Sequence, residues 1–179
     1  MRYALKRHPD SPCAAVTRVE VDAVRAQPGT LELCYLVTGK VSDLRMPAVT
    51  APDRSHELWR HTCFEAFVRA SSGTAYYEFN FAPSTRWAAY AFSGYRSGMR
   101  VASEVSAPRF DLKSHDEGLR LEVSIELDRL PDLPIDGDWI LGLSAVIEEI
   151  SGCKSYWALA HPPGAADFHH SDCFAHELS

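Results

Sequence analysis

No stretch of this 179-residue chain approaches the roughly 18 consecutive apolar residues that a membrane-crossing helix needs. The opening run, Met1-Arg-Tyr-Ala-Leu-Lys-Arg-His-Pro, lacks the apolar segment of a secretory signal, so no signal peptide is expected. Cysteine is sparse: Cys13, Cys34, Cys63, Cys153 and Cys173 are odd in number and never spaced C-x-x-C. That spacing gives no support to a structural zinc site, and the expectation is five reduced, mostly buried thiols in a cytoplasmic protein. Positive charge is in the minority, with 18 Lys and Arg against 24 Asp and Glu and a net charge of -6. A chain so charged has no general electrostatic footprint for nucleic acid or for an anionic membrane. Catalytic signatures are absent too: no G-x-S-x-G elbow, no Walker loop, no G-x-G-x-x-G.

Helical periodicity is also missing. The one candidate turn, from Asp128, is stopped by Pro131 and Pro134. What remains is a globular composition, 46% hydrophobic and 23% charged, in a length suited to a single domain over residues 1–179.

The rhythm of that domain is period two. Leu119, Leu121, Val123, Ile125 and Leu127 alternate with Arg120, Glu122, Ser124, Glu126 and Asp128, the pattern of a strand with one wet face. Leu31, Leu33, Tyr35 and Val37 repeat it, as do Val19 and Val21. Further strands are expected over 63–69, 75–82, 86–92, 139–148 and 154–160, separated by turn residues such as Gln27-Pro-Gly and Ile135-Asp-Gly-Asp. Many short strands with regular turns predict an all-β antiparallel sandwich or barrel. The irregular run 43–57 reads equally as a binding loop or as a plain crossing.

One hairpin raises a chemical question. Phe64, Ala66 and Val68 share one face of the first strand, and Ala75, Tyr77, Phe79 and Phe81 one face of the second. Pairing Phe64 with Phe79 buries both sets and sets Glu65 opposite Glu78, and Cys63 opposite Asn80, on the other face. Like charges directly opposed are destabilising. Compensation then comes from an arginine (Arg60, Arg69, Arg86 or Arg96), a metal ion, or a carboxyl that keeps its proton. The plain alternative is that both carboxylates reach into water. If instead they floor a concave face, carboxylates and amides among aromatic rings suit a sugar, whose hydroxyls they bind and whose C–H face the rings cover.

Of the four tryptophans, Trp139 and Trp157 read as core, while Trp59 and Trp87 flank the polar hairpin and are the stacking candidates. His161, His169, His170 and His176 cluster near Asp167 and Asp172 without any standard zinc spacing. One histidine reaching the Glu65/Glu78 floor would be chemically apt. A pair of close carboxylates also serves glycoside hydrolysis, a minor alternative to a non-catalytic role.

Four segments carry a family resemblance: Leu58-Trp-Arg-His-Thr-Cys-Phe-Glu-Ala-Phe, Tyr77-Glu-Phe-Asn-Phe-Ala-Pro-Ser, Trp87-Ala-Ala-Tyr with Gly94-Tyr-Arg, and His161-Pro-Pro-Gly with Asp167-Phe-His-His. Together they resemble the bacterial DOMON-like proteins, which are similar in turn to family 9 carbohydrate-binding modules. The resemblance implies a jelly-roll-like sandwich of about ten strands with a ligand site on its concave face. That site would bind a sugar or sugar derivative without catalysis, through Trp59, Arg60, Glu65, Glu78, Asn80, Trp87, Arg96, His161, His169 and His170. The haem-binding branch of the superfamily uses a Met and a His as axial ligands; Met46 and Met99, the internal methionines, match no motif of that branch. No cofactor is therefore expected. The alternatives are haem or a divalent metal held by His161, His169 and His170, or a protein-interaction module.

Overall fold

The computed structural model describes residues 2–178. Its strands run β1 (Arg2–Ala4), β2 (Lys6–Arg7), β3 (Val16–Gln27), β4 (Thr30–Gly39), β5 (Cys63–Ala70), β6 (Tyr76–Phe81), β7 (Trp87–Phe92), β8 (Arg100–Val101), β9 (Arg109–His115), β10 (Gly118–Glu126), β11 (Trp139–Glu148), β12 (Lys154–Ala158) and β13 (Phe174–Leu178). The expected strands are all present, most within a residue or two at their ends; β3 runs well past the Val19 and Val21 alternation to Gln27, and the turn after Asp128 forms no helix.

Two antiparallel sheets build a sandwich. The smaller has the order β1-β3-β4-β10-β9; the larger runs β2-β12-β11-β5-β6-β7-β8, with β13 pairing the first half of β11. The alternating residues do what period two requires. Leu31, Leu33, Tyr35 and Val37 of β4 meet Leu119, Leu121, Val123 and Ile125 of β10 on one inner face. From the other sheet come Phe64, Ala66, Val68, Tyr77, Phe79 and Phe81. Each large side chain buried this way contributes about 1.5–3 kcal/mol from removal of apolar surface. Tyr35 lies wholly inside and still satisfies its hydroxyl, which donates to the Glu65 carbonyl at 2.7 Å.

The register of the central hairpin differs from the expected one by two residues. Phe64 pairs with Phe81, Glu65 with Asn80, Ala66 with Phe79 and Phe67 with Glu78. A slip of two preserves every side chain's face, so the core is as expected while the cross-strand partners change. Glu65 and Glu78 are diagonal neighbours on one face, not directly opposed.

The five-thiol expectation is corrected. Cys13 and Cys153 form a disulfide with Cα atoms 5.9 Å apart, joining the segment before β3 to the β11–β12 turn. Cys34, Cys63 and Cys173 are free. Because the partners lie 140 residues apart, no local spacing could have revealed the bond.

Candidate functional site

The outer face of the larger sheet is where the remaining alternation points. Glu65 and Phe67 on β5, Tyr76, Glu78 and Asn80 on β6, Tyr90 and Phe92 on β7, Ser144 and Val146 on β11, and Tyr156 on β12 turn away from the sandwich core. Phe67, Tyr76, Ala88, Tyr90 and Phe92 form a second apolar cluster here, against which Leu58, Phe168 and Phe174 pack. Three irregular segments thus rise around the sheet: the 3-10 turn Leu58–Arg60, the loop 93–99 and the stretch 160–173. Between them lies a cavity of about 490 Å³ with Glu65 and Glu78 in its lining.

Both carboxyls are buried, at 3% and 5% exposure. Burial pushes the Glu65 carboxyl well above its ordinary range, the charge of Glu78 adds to the rise, and a hydrogen bond from Ser144 opposes it. Burial raises Glu78 as well, against a hydrogen bond from Asn80 and the attraction of Arg96. The hydrogen bonds are specific: Ser144 Oγ donates to Glu65 Oε2 at 3.2 Å, and Asn80 Nδ2 donates to Glu78 Oε1 at 2.7 Å. The pair therefore retains a proton at pH values where surface carboxyls have lost theirs, giving the floor both a donor and an acceptor.

His169 is the histidine that reaches this floor. The Arg96 backbone N–H donates to Tyr76 Oη at 3.2 Å, and Tyr76 Oη lies 2.8 Å from His169 Nδ1. His169 Nε2 faces Glu78 Oε2 at 3.7 Å. Burial, reinforced by the charge of Arg96, holds the imidazole down to about 4, so it is neutral. With one proton to place, the consistent arrangement is Tyr76 donating to Nδ1 and Nε2–H directed at Glu78. Arg96 is fixed by Asp167, which accepts its Nη2 at 2.7 Å, the Tyr95 hydroxyl at 2.5 Å and the His169 N–H at 3.2 Å. Burial works to raise the Asp167 carboxyl, but the hydrogen bonds from Tyr95 and Arg96 prevail and hold it below its usual range.

Six expected site residues line the cavity: Trp59, Arg60, Glu65, Glu78, Arg96 and His169. Trp59 is 39% exposed at the rim and stands edge-on to Tyr90, with ring centroids 6.2 Å apart. Asn80 lies beneath the lining, fully buried, and acts through Glu78. Three others are elsewhere. Trp87 faces the sandwich core at 3% exposure, with the Arg54 guanidinium 4.0 Å from its ring centroid on the remaining side. His161 is turned to the N-terminal segment, its Nε2 donating to the Lys6 carbonyl at 2.8 Å. His170 caps the 3-10 turn Ser171–Cys173, its Nδ1 accepting the Asp172 N–H at 3.2 Å.

Tyr90, Phe92, Met99, Lys154, Tyr156 and Phe168 line the cavity without having been expected there. A signal existed for two of them. If Trp157 is core, alternation sends Lys154, Tyr156 and Ala158 to the opposite face, the one Glu65 occupies.

The haem and metal alternatives find poor ligand sets. Met99 and His169 share the cavity, but His169 has Nδ1 on the Tyr76 hydroxyl and Nε2 facing Glu78 at 3.7 Å, so an axial ligand from this ring would have to be drawn away from those groups. Among the described residues, Cys13, Glu149 and Cys153 form the one group close enough to hold an ion, and the disulfide closes it. His161, His169 and His170 belong to no such group.

No protein-family model matches the sequence, and no curated protein matches it. Solved structures do resemble its fold. A crystal structure of a "putative carbohydrate-binding protein" from Bacteroides uniformis superimposes with a TM-score of 0.72 over 99% of this chain and 85% of that one, at 16% identity. A family 9 carbohydrate-binding module from Caldicellulosiruptor kristjanssonii in complex with glucose gives 0.53 over 97% and 83%, at 11% identity. With cellotriose bound, a family 9 module from the same organism gives 0.54 over 92% and 74%, at 10% identity. The fold is thus the two-sheet sandwich of the family 9 modules.

Proposed function

We propose that the chain is a non-catalytic carbohydrate-binding module whose ligand lies in the cleft floored by Glu65 and Glu78. The observation that carries this reading is a pair of buried carboxyls, partly protonated and short of cationic partners, at the base of a cleft walled by Trp59, Tyr90, Tyr156 and Phe168. Such a floor accepts from and donates to ring hydroxyls, while the aromatic rims cover the apolar C–H face of the sugar. Arg96, pinned by Asp167, adds a charged donor on one side. The fold likeness to modules solved with glucose and cellotriose supports the same ligand class. So do the motifs that resemble DOMON-like proteins, which run through β5, β6, β7 and the stretch before β13 that encloses the cleft.

Thermal melting with glucose, cellobiose and cellotriose tests it. A ligand at a hundredfold excess over its Kd adds about 2.7 kcal/mol of stability, which raises Tm by roughly 5–10 °C in a domain of this size. Trp59→Ala weakens that sugar about threefold to tenfold, the worth of one aromatic contact. A protein whose melting no neutral sugar moves at millimolar concentration is not such a module.

A further inference from the structure

Arg60 belongs to two cavities. On one side of the 3-10 turn Leu58–Arg60 lies the carboxyl-floored cleft; on the other is a basin of about 670 Å³ between the 45–62 segment and the turn before β7. The two are also joined from beneath, because His56 Nδ1, in the basin, lies 3.0 Å from the hydroxyl of Tyr90, in the cleft.

Their chemistry differs: Arg60, Arg96 and Lys154 stand with two carboxyls in the cleft lining, while the basin holds a single carboxylate. The cleft has its carboxyls at the floor, whereas the basin is lined by Arg45, Arg60, Arg86, His56 and His61. The one carboxylate in the basin's lining, Glu57, is taken up by Arg60 at 2.7 Å. Glu148, buried behind the basin, holds His61 at 2.6 Å and Arg45 at 3.5 Å. Arg86 is left over: among the described residues its guanidinium has no ion-pair or hydrogen-bond partner, and it is exposed. The backbone that carries it is nonetheless held in place. Thr85, just before it, sits at φ 71°, a left-handed conformation that branched side chains avoid. The turn is held there by Thr85 Oγ1 donating to the Thr50 carbonyl at 2.7 Å and Thr50 N–H donating to the Ser84 carbonyl at 2.9 Å. Glu57, which opens the 3-10 turn between the cavities, is left-handed as well, at φ 60°. Strain of this kind persists only where the surroundings impose it, and it gathers at ligand clamps.

We propose that the basin is a second subsite for an anionic group, and that the ligand is an acidic oligosaccharide. One neutral sugar unit occupies the cleft, the chain crosses over Trp59 and Arg60, and a hexuronate carboxylate meets the guanidinium of Arg86. The inference rests on the sugar-binding reading of the cleft and goes beyond it in assigning charge and length to the ligand. A carboxylate matches the planar fork of arginine bidentately, which an uncharged hydroxyl cannot do.

Calorimetric titration decides it, with neutral cello-oligosaccharides of two to four units and the same chains carrying a uronate at one end. At low ionic strength the best acidic chain is expected to bind about tenfold or more tightly than its neutral counterpart, as a charged hydrogen bond implies. That advantage shrinks in half-molar salt. Arg86→Ala abolishes the advantage and leaves affinity for the neutral chain unchanged. Equal affinities, or an advantage that survives Arg86→Ala, overturn the second subsite while leaving the cleft as a sugar site. Failure of every chain, neutral and acidic, overturns both.

Discussion

Cys13→Ser together with Cys153→Ser is expected to lower stability by about 3 kcal/mol, which in a domain of this size is a fall in Tm of roughly 6–12 °C. The bond spans 140 residues of sequence, and the chain-entropy description assigns a loop that long about 5 kcal/mol as an upper figure. The realised loss is smaller because the segment has other anchors. Glu149 Oε1 accepts the N–H groups of Ala14 and Ala15 at 2.9 and 2.8 Å, and Lys40 donates its N–H to the Ala15 carbonyl at 2.8 Å. Melts with and without reductant check the result: reductant destabilises the native protein and leaves the double variant where it was. Thiol titration of the denatured, unreduced protein should count Cys34, Cys63 and Cys173 alone. Five titrating thiols and a Tm indifferent to reductant would return Cys13 and Cys153 to the free state. Disulfides of this type persist where the surroundings are oxidising, so the expectation of a cytoplasmic protein loses the support it drew from free thiols.

Glu65→Gln is expected to stabilise the ligand-free protein above neutral pH and to weaken its sugar complex. In the native state burial raises this carboxyl well above its ordinary range, so between the unfolded and folded pKa values the native protein holds more protons than the unfolded chain. Stability then falls as pH rises through that window, starting near the unfolded value of about 4.3. Glutamine removes the titrating group, keeps an oxygen to accept the Ser144 hydroxyl, and flattens the decline. The gain at pH 8 is of the order of 1–3 kcal/mol, the cost of a poorly compensated buried polar group. Binding moves the other way, by about 1.5–3 kcal/mol for a lost charged hydrogen bond. Glu78→Gln behaves similarly with a smaller gain, because Asn80 and Arg96 already favour its ionised form. Denaturation between pH 5 and 8 measures the first effect and calorimetry the second. A Gln variant no more stable at pH 8 would show that the floor bears no buried titration, and unchanged affinity in both variants would remove the carboxyls from the site.

Period two made the fold class and the sorting of faces legible, since each strand's parity follows from its own sequence. It placed Glu65, Glu78 and Asn80 together on the face away from the core. Register is a different matter. A shift of two keeps every face, and only the five residues from Ser71 to Ala75 in the connection choose between the alternatives. Trp87 shows where parity itself fails. In β7 alanine occurs on both faces, Ala89 and Ala91 inward and Ala88 outward, so nothing in Trp-Ala-Ala-Tyr-Ala-Phe states which way the tryptophan turns. The histidines resisted for a third reason: His161, His169 and His170 lie in irregular backbone, where no period applies and only the packing selects His169 for the floor.

The sheet margins have a consequence for life at high concentration. An unpaired strand edge is a template on which another chain can add, and repeated addition leads to aggregates. Here β2 and β8, at the ends of the larger sheet, are two residues long, too short for a stable ladder, and each carries an exposed arginine or lysine. At one end of the smaller sheet is β1, three residues with Arg2 paired to Asp22 at 2.9 Å. The long margin is β9, where Arg109, Asp111, Lys113 and His115 stand on its exposed side. A second copy seeking to extend any of these edges finds either too few hydrogen-bonding groups or charges that it must strip of water. At β1, β2 and β8 the same shortness that makes the outermost strands hard to read as structure leaves an incoming strand little to pair with.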